Sequence, residues 1–191
     1  MHECRNPLRW FEYSFSASLM GMVFAVVGGI NHLYMLLMIF GLLWCTMFFG
    51  YHAEIVNRPI SRGDDKRPYY WQMNNDNPQL LAVPELGARI NRLAPNILGY
   101  VPYCFVWGPL LHSFFWNVSD AEEGPPPFVY AIIISQLVLF SCFGVTQVVL
   151  LLRNDGPSVY YWGEWSYQVL SLAAKGVLGL LLMVNVLLFD T

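Results

Sequence analysis

The chain has 191 residues, of which 56% are hydrophobic and only 12% charged, with a formal net charge of -3. That is too apolar for a soluble domain of this length, so lipid must solvate most of it. The few charges are confined to short segments, which excludes nucleic acid as a partner and makes their distribution more informative than their sum.

A hydrocarbon core about 30 Å thick requires about 20 residues of apolar helix, and five stretches meet that length. The start, Met1-His2-Glu3-Cys4, lacks a basic leader and a small-residue cleavage site, so no cleaved signal is expected. The first span runs from about Pro7 to Ile30 and ends in a tight turn at Gly28-Gly29-Ile30-Asn31. The second runs from about Leu33 to Ile55. A long polar connection then extends from Glu54 to Pro95, with 56–95 as the loop. The third span, about Asn96 to Trp116, carries Pro102 and Pro109, which a membrane helix tolerates. An acidic, proline-rich loop from Asn117 to Pro127 follows and contains the glycosylation tripeptide Asn117-Val118-Ser119. The fourth span is about Phe128 to Leu152, and a short aromatic connection from Arg153 to Ser166 leads to the fifth, about Tyr167 to Phe189. The reading is an all-α transmembrane five-helix bundle, because only a helix satisfies its own backbone in lipid.

Lysine and arginine set the orientation. Arg5 and Arg9, the group Arg58, Arg62, Lys66, Arg67, Arg89 and Arg92, and Arg153 all fall on one face of a five-span topology, nine of the ten basic residues. The tenth, Lys175, lies within the fifth span. The amino terminus and the 56–95 loop are therefore predicted to be cytoplasmic and the carboxyl terminus extracellular or lumenal. Cys4, Cys45, Cys104 and Cys142 and the histidines His2, His32, His52 and His112 are dispersed, so the cysteines read as apolar packers and no metal site is expected.

Ionisable groups inside spans default to function. Glu12 lies about 7 to 8 Å along the first span, and Lys175 about 9 Å past Val169 on a span running the same way. Equal depth makes a Glu12–Lys175 pair the expectation. Each charge also has a polar neighbour one turn away on its own helix: Arg9 and Ser16 for Glu12, Ser171 for Lys175. Ala173, Ala174 and Gly176 leave space beside the amine.

The words carrying these charges are specific. Arg9-Trp10-Phe11-Glu12-Tyr13-Ser14-Phe15-Ser16-Ala17-Ser18-Leu19-Met20 resembles the third helix of heliorhodopsins, and Leu170-Ser171-Leu172-Ala173-Ala174-Lys175 resembles their seventh. A cytoplasmic amino terminus agrees with that family. The resemblance covers the chain as helices three to seven of a seven-helix rhodopsin-like fold, with no counterpart to helices one and two and with a longer 56–95 loop, so the chain reads as a truncated form. It implies all-trans retinal held as a Schiff base on Lys175, Glu12 as counterion, Ser171 as the hydrogen-bonding serine, and Tyr13, Ser16 and Met20 as further cofactor-binding residues. It also implies a light sensor that signals rather than pumps, not an enzyme, acting as a homodimer with an unidentified signalling partner.

Independently of the resemblance, the Glu12 face of the first span continues with Met20 and Val23 and offers no second carboxylate for a proton relay. Trp44, Phe105, Phe140 and Phe143 are candidates for lining a chromophore slot, although membrane aromatics more often simply pack. The competing classes are a light-independent transporter or channel subunit in which Glu12 and Lys175 gate conduction, and a structural membrane protein in which the pair fixes helix register.

Overall fold

The computed structural model describes residues 6–57, 85–120, 127–153 and 157–189. Among the described residues it is a five-helix, all-α transmembrane bundle: α1 Pro7–Val27, α2 Leu33–Asn57, α3 Glu85–Asp120, α4 Pro127–Arg153 and α5 Pro157–Phe189.

Local chemistry sets the helix ends. Pro7 occupies the first turn of α1, where its missing N–H costs nothing, and the Asn6 side chain caps the helix by accepting from the Arg9 amide at 3.2 Å. The helix stops at Val27 rather than Ile30. Gly28 N–H donates to Phe24 O at 2.9 Å, Gly29 takes a positive φ of 92°, and Ile30 N–H returns to Ala25 O at 2.9 Å. That left-handed residue caps the helix and starts the turn. The side chain of Asn117 braces it from α3, donating to Gly28 O at 3.4 Å. Asn117-Val118-Ser119 is thus part of α3 and not of a loop, and its amide nitrogen is already engaged.

Two helices begin earlier than the apolar runs indicate. α3 starts at Glu85, so the segment from Glu85 to Pro95 is helix rather than loop. α5 starts at Pro157, so most of the expected aromatic connection is helix as well. An apolar run marks where lipid begins, whereas a helix can continue past it into the headgroups, where Trp and Tyr are at home. α3 is 36 residues long and runs through Pro95, Pro102 and Pro109. By length and composition the candidate membrane spans among the described residues are Pro7–Val27, Leu33–Ile55, Phe128–Leu152 and Tyr160–Val184. α3 has the length, but its prolines and its polar first third dilute its apolar character.

α1 packs on α2, α2 on α3 and α4 on α5, with α3 and α1 both reaching α4. The core sits among α1 to α4: Phe24, Leu43, Val106, Leu110, Ile132 and Ile133 are fully enclosed. Phe24 stacks on Trp107 at 5.2 Å between ring centroids and meets the edge of Phe140 at 5.6 Å. Lipid gives no hydrophobic drive for helix association, so close packing must hold the helices together. Gly21 serves this purpose, since a Cβ there would overlap the Leu43 side chain of α2. The outer surface is apolar in turn, with Leu8, Tyr34, Phe105, Trp162 and Leu172 all strongly exposed.

Candidate functional site

The second turn of α1 presents Glu12, and the middle of α5 presents Lys175. Lys175 Nζ donates to Glu12 Oε1 at 2.7 Å, joining the two helices. The lysine side chain is 39% exposed and the glutamate 60%. The outer side of the pair is open among the described residues, because a Cβ on Gly176 or Gly179 would meet nothing within 4 Å. On the inner side the ammonium stands 6.0 Å from the centroid of the Tyr13 ring. Tyr13 is buried and donates its hydroxyl to Tyr167 O at 3.0 Å, a second polar tie between α1 and α5.

Beside the amine lies a narrow, partly open slot. Lys175, Ser171, Tyr13, Ser16 and Met20 all line it, so the residues singled out from the sequence converge there, with Glu12 outside the wall at the lysine nitrogen. Of the four aromatic candidates, Phe140 and Phe143 form walls. Trp44 instead packs on Phe15 and Phe40, with centroids 4.4 and 5.6 Å away, and Phe105 is 65% exposed on the outer surface. A somewhat larger cavity adjoins the slot and shares the walls Tyr13, Met47, Phe140 and Phe143 with it.

The deeply buried charges are different ones. Arg9 does not turn towards Glu12, as its i, i+3 spacing implies, but into the bundle. It contacts Glu54 of α2 at 3.1 Å through Nη2 and Glu164 of α5 through Nη1. All three residues are at most 8% exposed. Trp10 Nε1 also donates to Glu54, and Asn6 Nδ2 donates to Glu164 at 3.1 Å. The guanidinium lies 4.4 Å from the Tyr167 ring centroid and 4.9 Å from that of Trp10. Tyr167 donates its hydroxyl to Gln147 Oε1, and Gln147 Nε2 donates to Gly50 O at 3.1 Å, which extends the network across α4 to α2. Sequence reasoning missed this cluster by assigning Glu54 and Glu164 to connections. The available signal was topological: the start of α1, the end of α2 and the start of α5 share one membrane face.

The cluster ties three helices through one cation. Arg9→Met, which keeps the stem and removes the charge, leaves two buried carboxylates without it, and breaking such a pair from one side costs about 3–5 kcal/mol. The expected result is a marked fall in thermal stability in detergent; an unchanged melting temperature would show that the cluster does not stabilise the fold.

A primary amine at the mouth of an apolar slot, with a carboxylate in contact, suits one kind of chemistry. The amine, once it has given up a proton, can attack a carbonyl carbon whose oxygen leaves as water, and the carboxylate then stabilises a positive charge retained on that nitrogen. The comparison with known families agrees with the resemblance seen in the α1 and α5 words: the sequence matches the family model described as Heliorhodopsin over residues 1–74 and 82–187. No curated protein matches it.

Proposed function

Because this chain belongs to the heliorhodopsin family, we propose that it is a light-sensing membrane protein that holds all-trans retinal covalently on Lys175, with Glu12 as the counterion. The observation that carries this reading is the 2.7 Å contact between Lys175 Nζ and Glu12 Oε1 at the end of an apolar slot. The residues fit such a group. The walls shared by the slot and its neighbouring cavity are aromatic rings and a thioether, suited to an extended conjugated chain.

Retinal, when bound, supplies the absorption of visible light and the change of shape that follows. The protein's own residues do the rest. Lys175 anchors the aldehyde carbon, Glu12 neutralises the cationic nitrogen, and Ser171, one turn before Lys175, offers a hydroxyl on the same face. Tyr13 closes the slot from α1, while Ser16 and Met20 continue that wall along the helix. α1 and α5 share little backbone packing, so side-chain ties such as Glu12–Lys175 and Tyr13–Tyr167 hold them together. Weakening the first tie loosens the middle of α5 from α1 while Glu164, held by Arg9 and Asn6, keeps its start in place, a local change that supports signalling rather than pumping. The absence of a carboxylate beyond Glu12 on that face of α1 points the same way.

Adding all-trans retinal to the expressed chain tests the proposal: a visible band that hydroxylamine bleaches supports it. Absence of a band under conditions where the protein is folded would leave Glu12 and Lys175 as a gating or structural pair.

The proposed orientation makes a separate prediction. Single cysteines at Ser61 and Ser119 are expected to react with impermeant reagent from opposite sides of the membrane. Ser119 lies exposed near the end of α3, and Ser61 falls outside the described residues. Labelling of both from the same side would show that α3 does not cross.

A further inference from the structure

The larger cavity beside the Lys175 slot contains a buried donor that no described residue satisfies. Asn96 lines the cavity and is 7% exposed, and its Nδ2 has no hydrogen-bond partner. Buried amide donors are ordinarily paired, because leaving one desolvated costs more than the bond itself contributes.

Most other polar groups around the cavity are committed elsewhere. Asn96, Tyr100 and Tyr103 follow one another at i, i+4 and i+7 on α3 and present one face to it. Tyr103 pairs its hydroxyl with Ser141 Oγ at 2.8 Å. The Tyr100 hydroxyl lies against the α4 backbone at Gly144, where a Cβ would overlap it. Gln147 is engaged at both ends, by Gly50 O and by the Tyr167 hydroxyl. Thr46 donates to Leu42 O at 2.9 Å. What remains is an apolar, aromatic-walled space with the unsatisfied N–H donor of Asn96 and, one turn on, the Tyr100 hydroxyl held against Gly144.

Four walls of this cavity are also walls of the slot at Lys175. A molecule anchored on Lys175 that passes between these four side chains reaches towards Asn96. Resting on the reading of Lys175 as the anchor, we infer that the cavity selects a retinal whose ring carries an acceptor oxygen, keto or hydroxyl, that takes the Asn96 Nδ2 hydrogen bond. An unsubstituted ring leaves the donor buried and unpaired, and a site built around a hydrogen bond discriminates against the analogue that lacks it.

Competition between two aldehydes tests the inference. The full chain in lipid vesicles is offered equal amounts of all-trans retinal and all-trans 4-oxoretinal, and the bound chromophore is released with hydroxylamine and separated by chromatography. An excess of the 4-oxo form of roughly 3- to 10-fold is expected, the size of one net hydrogen bond. Asn96→Leu, similar in volume but without the amide, is expected to return the ratio to near one while still forming pigment. Equal uptake by the wild-type chain overturns the inference alone, and that ratio decides the matter even where the variant does not assemble. An excess that survives in Asn96→Leu overturns it too. If the wild-type chain yields no releasable chromophore from either aldehyde, the Lys175 reading fails and the inference falls with it.

Discussion

Lys175→Ala is expected to abolish covalent chromophore completely. The chain has only two lysines, and the other, Lys66, belongs to the polar stretch between the second and third spans. Lys175, the one lysine among the described residues, has an apolar slot at its side and a carboxylate on its nitrogen. The alanine variant, mixed with all-trans retinal and reduced with borohydride, should gain no mass and show no band beyond that of free retinal, whereas the wild-type chain gains one retinyl group. A reduced adduct in the variant would place the attachment elsewhere and sink the assignment.

Glu12→Gln keeps the shape of the counterion and removes its charge. A carboxylate in contact with a cationic nitrogen favours the protonated form, so its loss lets the proton leave at lower pH; an opposite charge at such range is worth about 1–3 pH units. The visible band requires that proton. In a spectrophotometric titration the pH at which the band gives way to near-ultraviolet absorption should fall by that amount, so that at neutral pH much of the variant absorbs in the near ultraviolet. Addition of halide is expected to restore part of the band, shifted to the red, as a solution anion takes the vacated position beside the open side of the pair. A midpoint that does not move would show that some other group balances Lys175.

The five helices and the Glu12–Lys175 contact were legible in the sequence because both follow from length. Twenty apolar residues specify a crossing, and two charges at equal depth on spans running the same way are brought level by geometry alone. The ends of α3 and α5 were not legible, since hydropathy registers the boundary of lipid and not of the helix: Glu85 to Pro95 and Pro157 to Ser166 are polar or aromatic, yet helical. The role of Arg9 was hidden for a different reason. Spacing along a helix proposes partners within that helix, and Glu12 is the obvious one, but the side chain pairs with Glu54 and Glu164, 45 and 155 residues away. Such pairing depends on which helices are neighbours. Asn96 gave no signal at all; a single asparagine at the head of an apolar run becomes notable only once its surroundings are known to lack an acceptor.

The proline spacing in α3 has a mechanical consequence. Pro95, Pro102 and Pro109 each lack the N–H that would bond the carbonyl four residues back, which frees the oxygens of Asn91, Leu98 and Phe105. Seven residues come within about 20° of two full turns, so the three interruptions fall along one narrow stripe instead of being spread around the cylinder. A rod with its cross-links missing along one side is soft in one direction and stiff in the others. α3 therefore bends more easily in one direction than in the others, and it carries Asn96 and Tyr100 at the cavity and, further along, Asn117 at the α1–α2 turn, so that a bend at its prolines would shift one of these contacts relative to the other.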